Sequence, residues 1–109
     1  MEPALQLFLV AVEVDADGHC PPYYRQITVS CALWASRAEQ AIAWATIDLQ
    51  RSGYRPLAGQ ARAQPCAPGQ WEHTLRLHWP ARCGLALPPT PQPGAALPAP
   101  VQLGLYPHD

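Results

Sequence analysis

The chain is 109 residues long and carries a net charge of −1, with seven basic and eight acidic residues. This length limits it to a single domain with a modest core. The near-neutral balance argues against a nucleic-acid binder with a basic face and against a polybasic membrane-surface protein. All seven basic residues are Arg, which with abundant Ala and Pro is typical of a GC-rich bacterial genome.

The first predicted element is a strand over residues 5–14, which is apolar on both alternating faces. A strand of this kind lies in the centre of its sheet, because both of its faces are buried. The segment lacks the basic start of a signal peptide, with Glu2 in its place, and it is too short to span a bilayer. We therefore expect a cytoplasmic protein.

A turn-rich connector over residues 15–22 leads to a second alternating segment, residues 23–35, which predicts an antiparallel partner for the first strand. Acidic residues gather at the first strand's end, and two aromatic residues follow the connector. We interpret the acidic group as a solvated turn that could also meet a basic partner, with the tyrosines adding contact area. The residues concerned are Glu13, Asp15, Asp17, Tyr23 and Tyr24.

Residues 36–54 predict one complete helix. Ser36 followed by Glu39 forms a capping box, and Gly53 stands where a left-handed residue ends a helix at little cost. A stripe of apolar residues at helical spacing predicts the face that packs on the sheet. Its members are Ala38, Ala41, Ile42, Ala45 and Leu49.

Two large apolar residues of this helix, Trp44 and Ile47, fall far from that stripe, with Gln40 and Arg51 beside them. One interpretation is a contact patch for a partner protein, since Trp is enriched at interaction hot spots and Arg is a frequent companion. The other is that the chain's own C-terminal segment covers the helix on a second side.

After the helix, residues 54–64 predict a weak edge strand, and the strict alternation over residues 71–79 predicts a fourth strand. Residues 88–100 are Pro-rich and extended, and Val101, Leu103 and Leu105 alternate behind them as a short strand or as part of an arm. We therefore assign residues 1–87 to one α+β domain and residues 88–109 to a Pro-rich C-terminal arm.

The predicted fold is α+β, with a mainly antiparallel four-stranded sheet in ββαββ order and one helix packed on one face. One helix leaves the second face of the sheet uncovered, although the first strand is apolar on that side too. The cover could be the C-terminal arm, a second copy of the chain in a homodimer, or a different protein.

The histidines and cysteines argue against a catalytic or metal site. His73 and His78 stand five apart on a predicted strand, so they point to opposite faces and cannot share a metal. Cys20 beside His19 is the one suggestive pair, but sequence neighbours rarely reach the geometry of nucleophile and base. No phosphate loop, nucleophile elbow or H-E-x-x-H motif is present. We predict no enzyme, catalytic residue, metal, cofactor, nucleic-acid partner or membrane partner.

The four cysteines are widely spaced and form no C-x-x-C motif. Because cytosolic thiols are kept reduced, we expect at least three of them to be free. Two disulfides are the alternative, with three pairings open. The cysteines are Cys20, Cys31, Cys66 and Cys83.

In size, composition and strand–strand–helix layout, residues 5–80 resemble bacterial toxin-immunity proteins. The resemblance implies a non-catalytic protein that binds one toxin and blocks it. From the patterns above, the expected contact residues are Trp44, Ile47, Arg51, Gln40, Glu13, Asp15, Asp17, Tyr23 and Tyr24. Two alternatives remain: a small dimeric ligand-binding domain, and an enzyme on a ferredoxin-like or cystatin-like scaffold.

Overall fold

A computed structural model describes residues 4–15, 26–92, 94, 96 and 98–107. In this part of the chain the fold is α+β, with an antiparallel sheet of four strands in the order β3-β1-β2-β4 and two helices. The elements in chain order are β1 (Gln6–Asp15), β2 (Gln26–Ala35), α1 (Ala38–Arg51), β3 (Pro56–Pro65), α2 (Trp71–His78) and β4 (Val101–Pro107).

The central position predicted for the first strand is confirmed. β1 pairs along its whole length with β2, from Gln6 opposite Ala35 to Asp15 opposite Gln26, and its other edge pairs with β3. Both neighbours run antiparallel to it. The strand therefore has no free edge over most of its length. Its two faces pack in two separate core clusters, which explains why its sequence is apolar on both.

The first face of the sheet packs against α1. Ala41, Ala45 and Leu49 are fully buried there, and Ala38 and Ile42 are partly buried beside them. This confirms the predicted core stripe of the helix. The sheet's contribution comes from alternate positions of the two central strands: Phe8, Val10, Val12, Val14, Ile27, Val29, Cys31, Leu33 and Ala35.

The predicted capping box at the start of α1 is wrong. The helix begins at Ala38, which places Gln40 rather than Glu39 at the third helical position. Accordingly the backbone N–H and the hydroxyl of Ser36 both donate to Oε1 of Gln40, at 2.7 and 2.8 Å. Gln40 therefore accepts from Ser36, the residue before the N-cap Arg37, and the arrangement is not a capping box.

The end of α1 follows the prediction for Gly53, whose φ of 94° lies in the left-handed region. The Gly53 N–H donates to the Gln50 carbonyl at 3.1 Å, and the Tyr54 N–H donates to the Leu49 carbonyl at 3.0 Å. These two bonds are the Schellman pattern, which satisfies carbonyls that the last helical turn leaves open. The chain then turns directly into β3.

The strand predicted over residues 71–79 is wrong, because this segment forms α2. Trp71 and Leu75 are buried, whereas Leu77 is 64% exposed. In a strand all three would share one face, but spacing by four puts Trp71 and Leu75 on one side of a helix. Apolar residues spaced by both two and four residues fit the period of a strand and that of a helix. The preceding 3-10 turn at Pro68–Gln70 leads directly into the helix.

The predicted ββαββ order is therefore wrong, since α2 precedes the last strand. That strand, β4, comes from the segment predicted as an arm and pairs antiparallel with β2. Together α2 and its neighbours cover part of the second face of the sheet. The buried residues of this second cluster are Leu7, Leu9, Ala32, Trp34, Cys66, Trp71, Leu75 and Leu103.

Three hydrogen bonds attach the chain after α2 to the sheet and to α2 itself. The indole N–H of Trp34 donates to the Pro88 carbonyl at 3.1 Å, and that of Trp71 donates to the Leu85 carbonyl at 2.9 Å. Nε of Arg82 donates to the Leu103 carbonyl at 3.0 Å. The second face is thus covered in part by this chain itself, through a helix whose sequence alternates like that of a strand.

Candidate functional site

Trp44 does not lie on the solvent side of α1, as its position on the helical wheel suggested. It is half-buried and packs against the core between α1 and the sheet. Ala41 and Ala45 have small side chains, so the helix can approach the sheet closely and a large ring at its flank reaches the core. The expectation that this residue lies away from the core is therefore wrong.

The indole of Trp44 is oriented with its polar edge inward. Its Nε1 is buried, and none of the described residues accepts a hydrogen bond from it. The guanidinium carbon of Arg51 lies over the ring, 5.9 Å from the centroid, which is a cation–π distance. Trp44 thus acts as a platform that positions Arg51 on the helix surface.

Ile47 is the large apolar residue that α1 does present to solvent, with 42% of its surface exposed. Gln40 and Arg51 are also exposed on the helix. Positions 40, 47 and 51 are separated by seven and four residues, so they follow one line along the helix. We name these three residues the α1 strip.

The acidic residues predicted as contacts do not join the α1 strip. Asp15 forms an ion pair with Arg55 at 3.4 Å, and its N–H donates to the Arg55 carbonyl at 3.0 Å. Glu13 is half-buried opposite Thr28, and it alternates with Val12 and Val14, which pack under α1. Its side chain therefore belongs to the other face of the sheet.

Asp17, Tyr23 and Tyr24 lie outside the described residues, so their predicted role as contacts stays a prediction.

A cavity that the sequence analysis missed opens beside the edge strand β3. It has a volume of about 830 Å³, and its lining includes polar and small residues of the second sheet face together with the end of α2. On that face the lining residues are Leu9, Ala11, Thr28, Ser30, Arg62, Gln64, His78 and Trp79. On the α1 side of the sheet, the cavity reaches Val10, Ala38, Ile42, Ala61 and Ala63.

The described thiols have different environments. Cys31 and Cys66 are buried, Cys83 is exposed, and all three are free; Cys20 lies outside the described residues. Burial, with a smaller contribution from the negative charge of Asp48, raises the pKa of Cys31 to about 12. A thiol with this pKa stays protonated near neutral pH, so Cys31 fits a packing role rather than nucleophilic chemistry.

Within the described ranges, no group of three or more His, Cys, Asp or Glu residues could hold a metal ion. His73 and His78 both lie on α2, where the ring of His78 meets that of Trp79 edge-on at a centroid distance of 5.7 Å. No described helix has both the length and the apolar character needed to span a membrane. The α1 strip and the cavity beside β3 are two surface features open to a functional interpretation.

No protein-family model, curated protein or solved structure matches this chain.

Proposed function

We propose that the protein is a non-catalytic binding module that contacts a partner protein through the α1 strip. The observation that carries this proposal is the exposed Ile47 beside an Arg51 guanidinium that rests over Trp44. Apolar and cationic groups side by side are what central interface residues offer to a partner.

The stacking of Arg51 on Trp44 favours binding by reducing the cost of ordering. An interface Arg normally loses rotamer freedom, at about 0.5–1.5 kcal/mol for each immobilised side chain. A guanidinium already placed over an aromatic ring loses less rotamer freedom on binding. More of its attraction to an opposite charge then contributes to the stability of the complex. We therefore expect a partner that places an acidic side chain against Arg51 and an apolar side chain against Ile47.

The α1 strip alone is too small for a stable complex. Specific interfaces bury about 800 Å² on each partner, so the strip would form the centre of a contact that extends over neighbouring surface. The adjoining turn at the start of α1 offers Arg37, Glu39 and the polar end of Gln40, all exposed. These polar residues would form part of the rim around Ile47.

For the class of partner we propose a bacterial protein toxin, neutralised by direct binding in the cytoplasm. The support for this class is the resemblance to toxin-immunity proteins in size, composition and strand–strand–helix layout. It gives the binding proposal a biological test: expression of the partner alone should stop growth of the host. Co-expression of this chain should restore growth, and an Ile47→Asp variant should restore it less well.

The binding test begins with capture of a partner from the native host on the immobilised full chain. The captured protein is then identified, purified and titrated calorimetrically against the native chain and two variants, Ile47→Asp and Arg51→Glu. We expect each variant to weaken binding by about tenfold or more. Arg76→Glu is the matched control, because Arg76 is an exposed cation on α2 at the opposite face of the sheet.

Equal affinities for the native chain, both strip variants and the control would overturn the α1 strip as the interface, provided that the variants melt normally. A partner that binds as expected but leaves growth unaffected would overturn the toxin class and leave the binding role intact.

A further inference from the structure

A row of small residues crosses the second face of the sheet at the cavity beside β3. The strand register places Arg62 opposite Ala11, Ala11 opposite Ser30, and Ser30 opposite Gly104. Ala11, Ser30 and Gly104 therefore carry a methyl group, a hydroxymethyl group and a hydrogen. Neighbouring rows on the same face carry larger side chains, including Leu9. The small row thus forms the floor of a trench, which we name the Ser30 trench.

The end of α2 supplies one wall of the Ser30 trench. A side-chain carbon added at Gly104 would lie 3.6 Å from Cδ1 of Trp79, so the indole rests directly against that end of the floor. His78 meets the indole edge-on and also lines the cavity. An aromatic surface of this kind offers a flat apolar wall to a planar ligand.

The lining on the second face also includes four polar residues, Thr28, Ser30, Arg62 and Gln64, beside the apolar Leu9. Ser30 and Thr28, with 5% and 8% of their surfaces exposed, place hydroxyl groups in the middle of the sheet. Arg62 and Gln64 stand on the edge strand β3 at the open end of the cavity.

We propose that the Ser30 trench binds a small molecule that has a planar apolar ring and one anionic group, either carboxylate or phosphate. The ring lies against Trp79, and the anion meets the guanidinium of Arg62, whose planar fork suits both kinds of oxyanion. Gln64 and the Ser30 hydroxyl supply neutral hydrogen bonds. The whole cavity, which also reaches the α1 side of the sheet, has a volume of about 830 Å³, and the trench is the part of it on the second face.

This site is separate from the α1 strip, because α1 packs on the first face of the sheet and Ala11, Ser30 and Trp79 belong to the second. A ligand in the trench and a protein on α1 would thus touch different surfaces, and the failure of one proposal would not imply the failure of the other.

The test is a titration of the isotope-labelled full chain with 2-naphthoate, followed by nuclear magnetic resonance. The control probe is 2-naphthylmethanol, which keeps the ring and lacks the charge. We expect saturable shifts confined to the amides of Ala11, Ser30 and Gly104 and to the indole N–H of Trp79. Inorganic phosphate and acetate, titrated separately, show which anionic group Arg62 prefers.

Two variants make the test specific. Arg62→Gln should lower the affinity for 2-naphthoate by about tenfold or more, since one charge-assisted contact is lost. The affinity for 2-naphthylmethanol should stay nearly unchanged. Arg76→Gln, on the exposed side of α2, should change neither probe. Ala11→Leu places a larger side chain on the floor of the trench and should lower the affinity for both probes.

Absence of saturable shifts at millimolar 2-naphthoate would overturn the proposal. So would shifts scattered over the surface, or an Arg62→Gln variant that weakens both probes equally or neither. Should Ala11→Leu fail to fold, the two arginine variants decide the outcome alone.

Discussion

The indole N–H of Trp34 donates to the carbonyl of Pro88 at 3.1 Å, which joins the end of β2 to a segment 54 residues later in the sequence. Both residues are buried. The bond therefore ties the start of the Pro-rich segment to the sheet, at the face that a single helix would have left open. Trp34 and Trp44 form a natural pair for experiment, because only Trp34 has an acceptor among the described residues.

Trp34→Phe should lower the free energy of unfolding by about 1–2 kcal/mol, because it leaves the buried Pro88 carbonyl without its donor. Trp44→Phe is the matched control and should cost less, since it removes a donor that no described residue accepts. Chemical denaturation of both variants measures the difference. A larger loss for Trp44→Phe than for Trp34→Phe would contradict these assignments.

Trp44→Ala should lower the free energy of unfolding by about 3 kcal/mol, because the ring packs against the core beneath α1. The thermal midpoint and the denaturant midpoint should fall together. A stability loss below about 0.5 kcal/mol would indicate a ring that contributes little to the core. The interface experiments for α1 therefore rely on Ile47 and Arg51, whose exposed side chains can be changed at less cost to the fold.

Leu49→Ala should lower the free energy of unfolding by about 2–5 kcal/mol, since the side chain is fully buried between α1 and the sheet. Ile47→Ala, two residues earlier on the same helix, should stay within about 0.5–1 kcal/mol of the native chain because its side chain is largely exposed. The helix propensity of Ala is high in both variants, so the comparison isolates burial. Similar losses in urea denaturation would contradict the orientation of the helix.

The raised pKa of Cys31 predicts a loss of stability at alkaline pH. Burial moves this pKa from 9.0 to about 12, so between these values the folded chain keeps a proton that the unfolded chain releases. The unfolded state then binds fewer protons, and the free energy of unfolding falls as pH rises above about 9. Below that pH both states keep the proton, and this residue contributes no pH dependence.

Denaturation curves between pH 8 and pH 11 measure this effect, with Cys31→Ala and Cys83→Ser as the comparison pair. We expect the alkaline loss to shrink in Cys31→Ala and to persist in Cys83→Ser, because Cys83 is exposed. Thiol labelling of the folded chain gives a second measure: Cys83 should react rapidly at pH 8 and Cys31 slowly. Equal labelling rates would contradict the burial of Cys31.

The sequence predicts β1 because a short apolar run followed by a turn-rich connector is typical of a buried strand. It predicts α1 because the apolar stripe of that segment recurs only at helical spacing. Residues 71–79 failed because positions 71, 75 and 79 satisfy two periods together. Tertiary packing favours the helix over the strand, because a helix there buries Trp71 and Leu75 against the second face of the sheet.

In the candidate sites too, local features can be predicted from the sequence, and features that depend on tertiary packing cannot. The exposure of Ile47, Gln40 and Arg51 follows from the helical wheel, because a surface line on one helix is a local property, and their role as contacts stays a prediction. Trp44 was misplaced, since its burial depends on the small size of Ala41 and Ala45 next to the sheet. The Ser30 trench could not be found from sequence, because its row of small residues exists only after four strands are placed in register.

The pairing of β4 with β2 has a consequence for how the protein is made. β2 is separated from β4 by α1, β3 and α2, so during translation its outer edge stays open until all of these have been synthesised. An open strand edge next to the apolar residues Trp34 and Leu33 invites pairing with other nascent chains. Premature termination before residue 101 should therefore yield aggregates, and host chaperones that shield extended apolar segments should improve the yield of native protein.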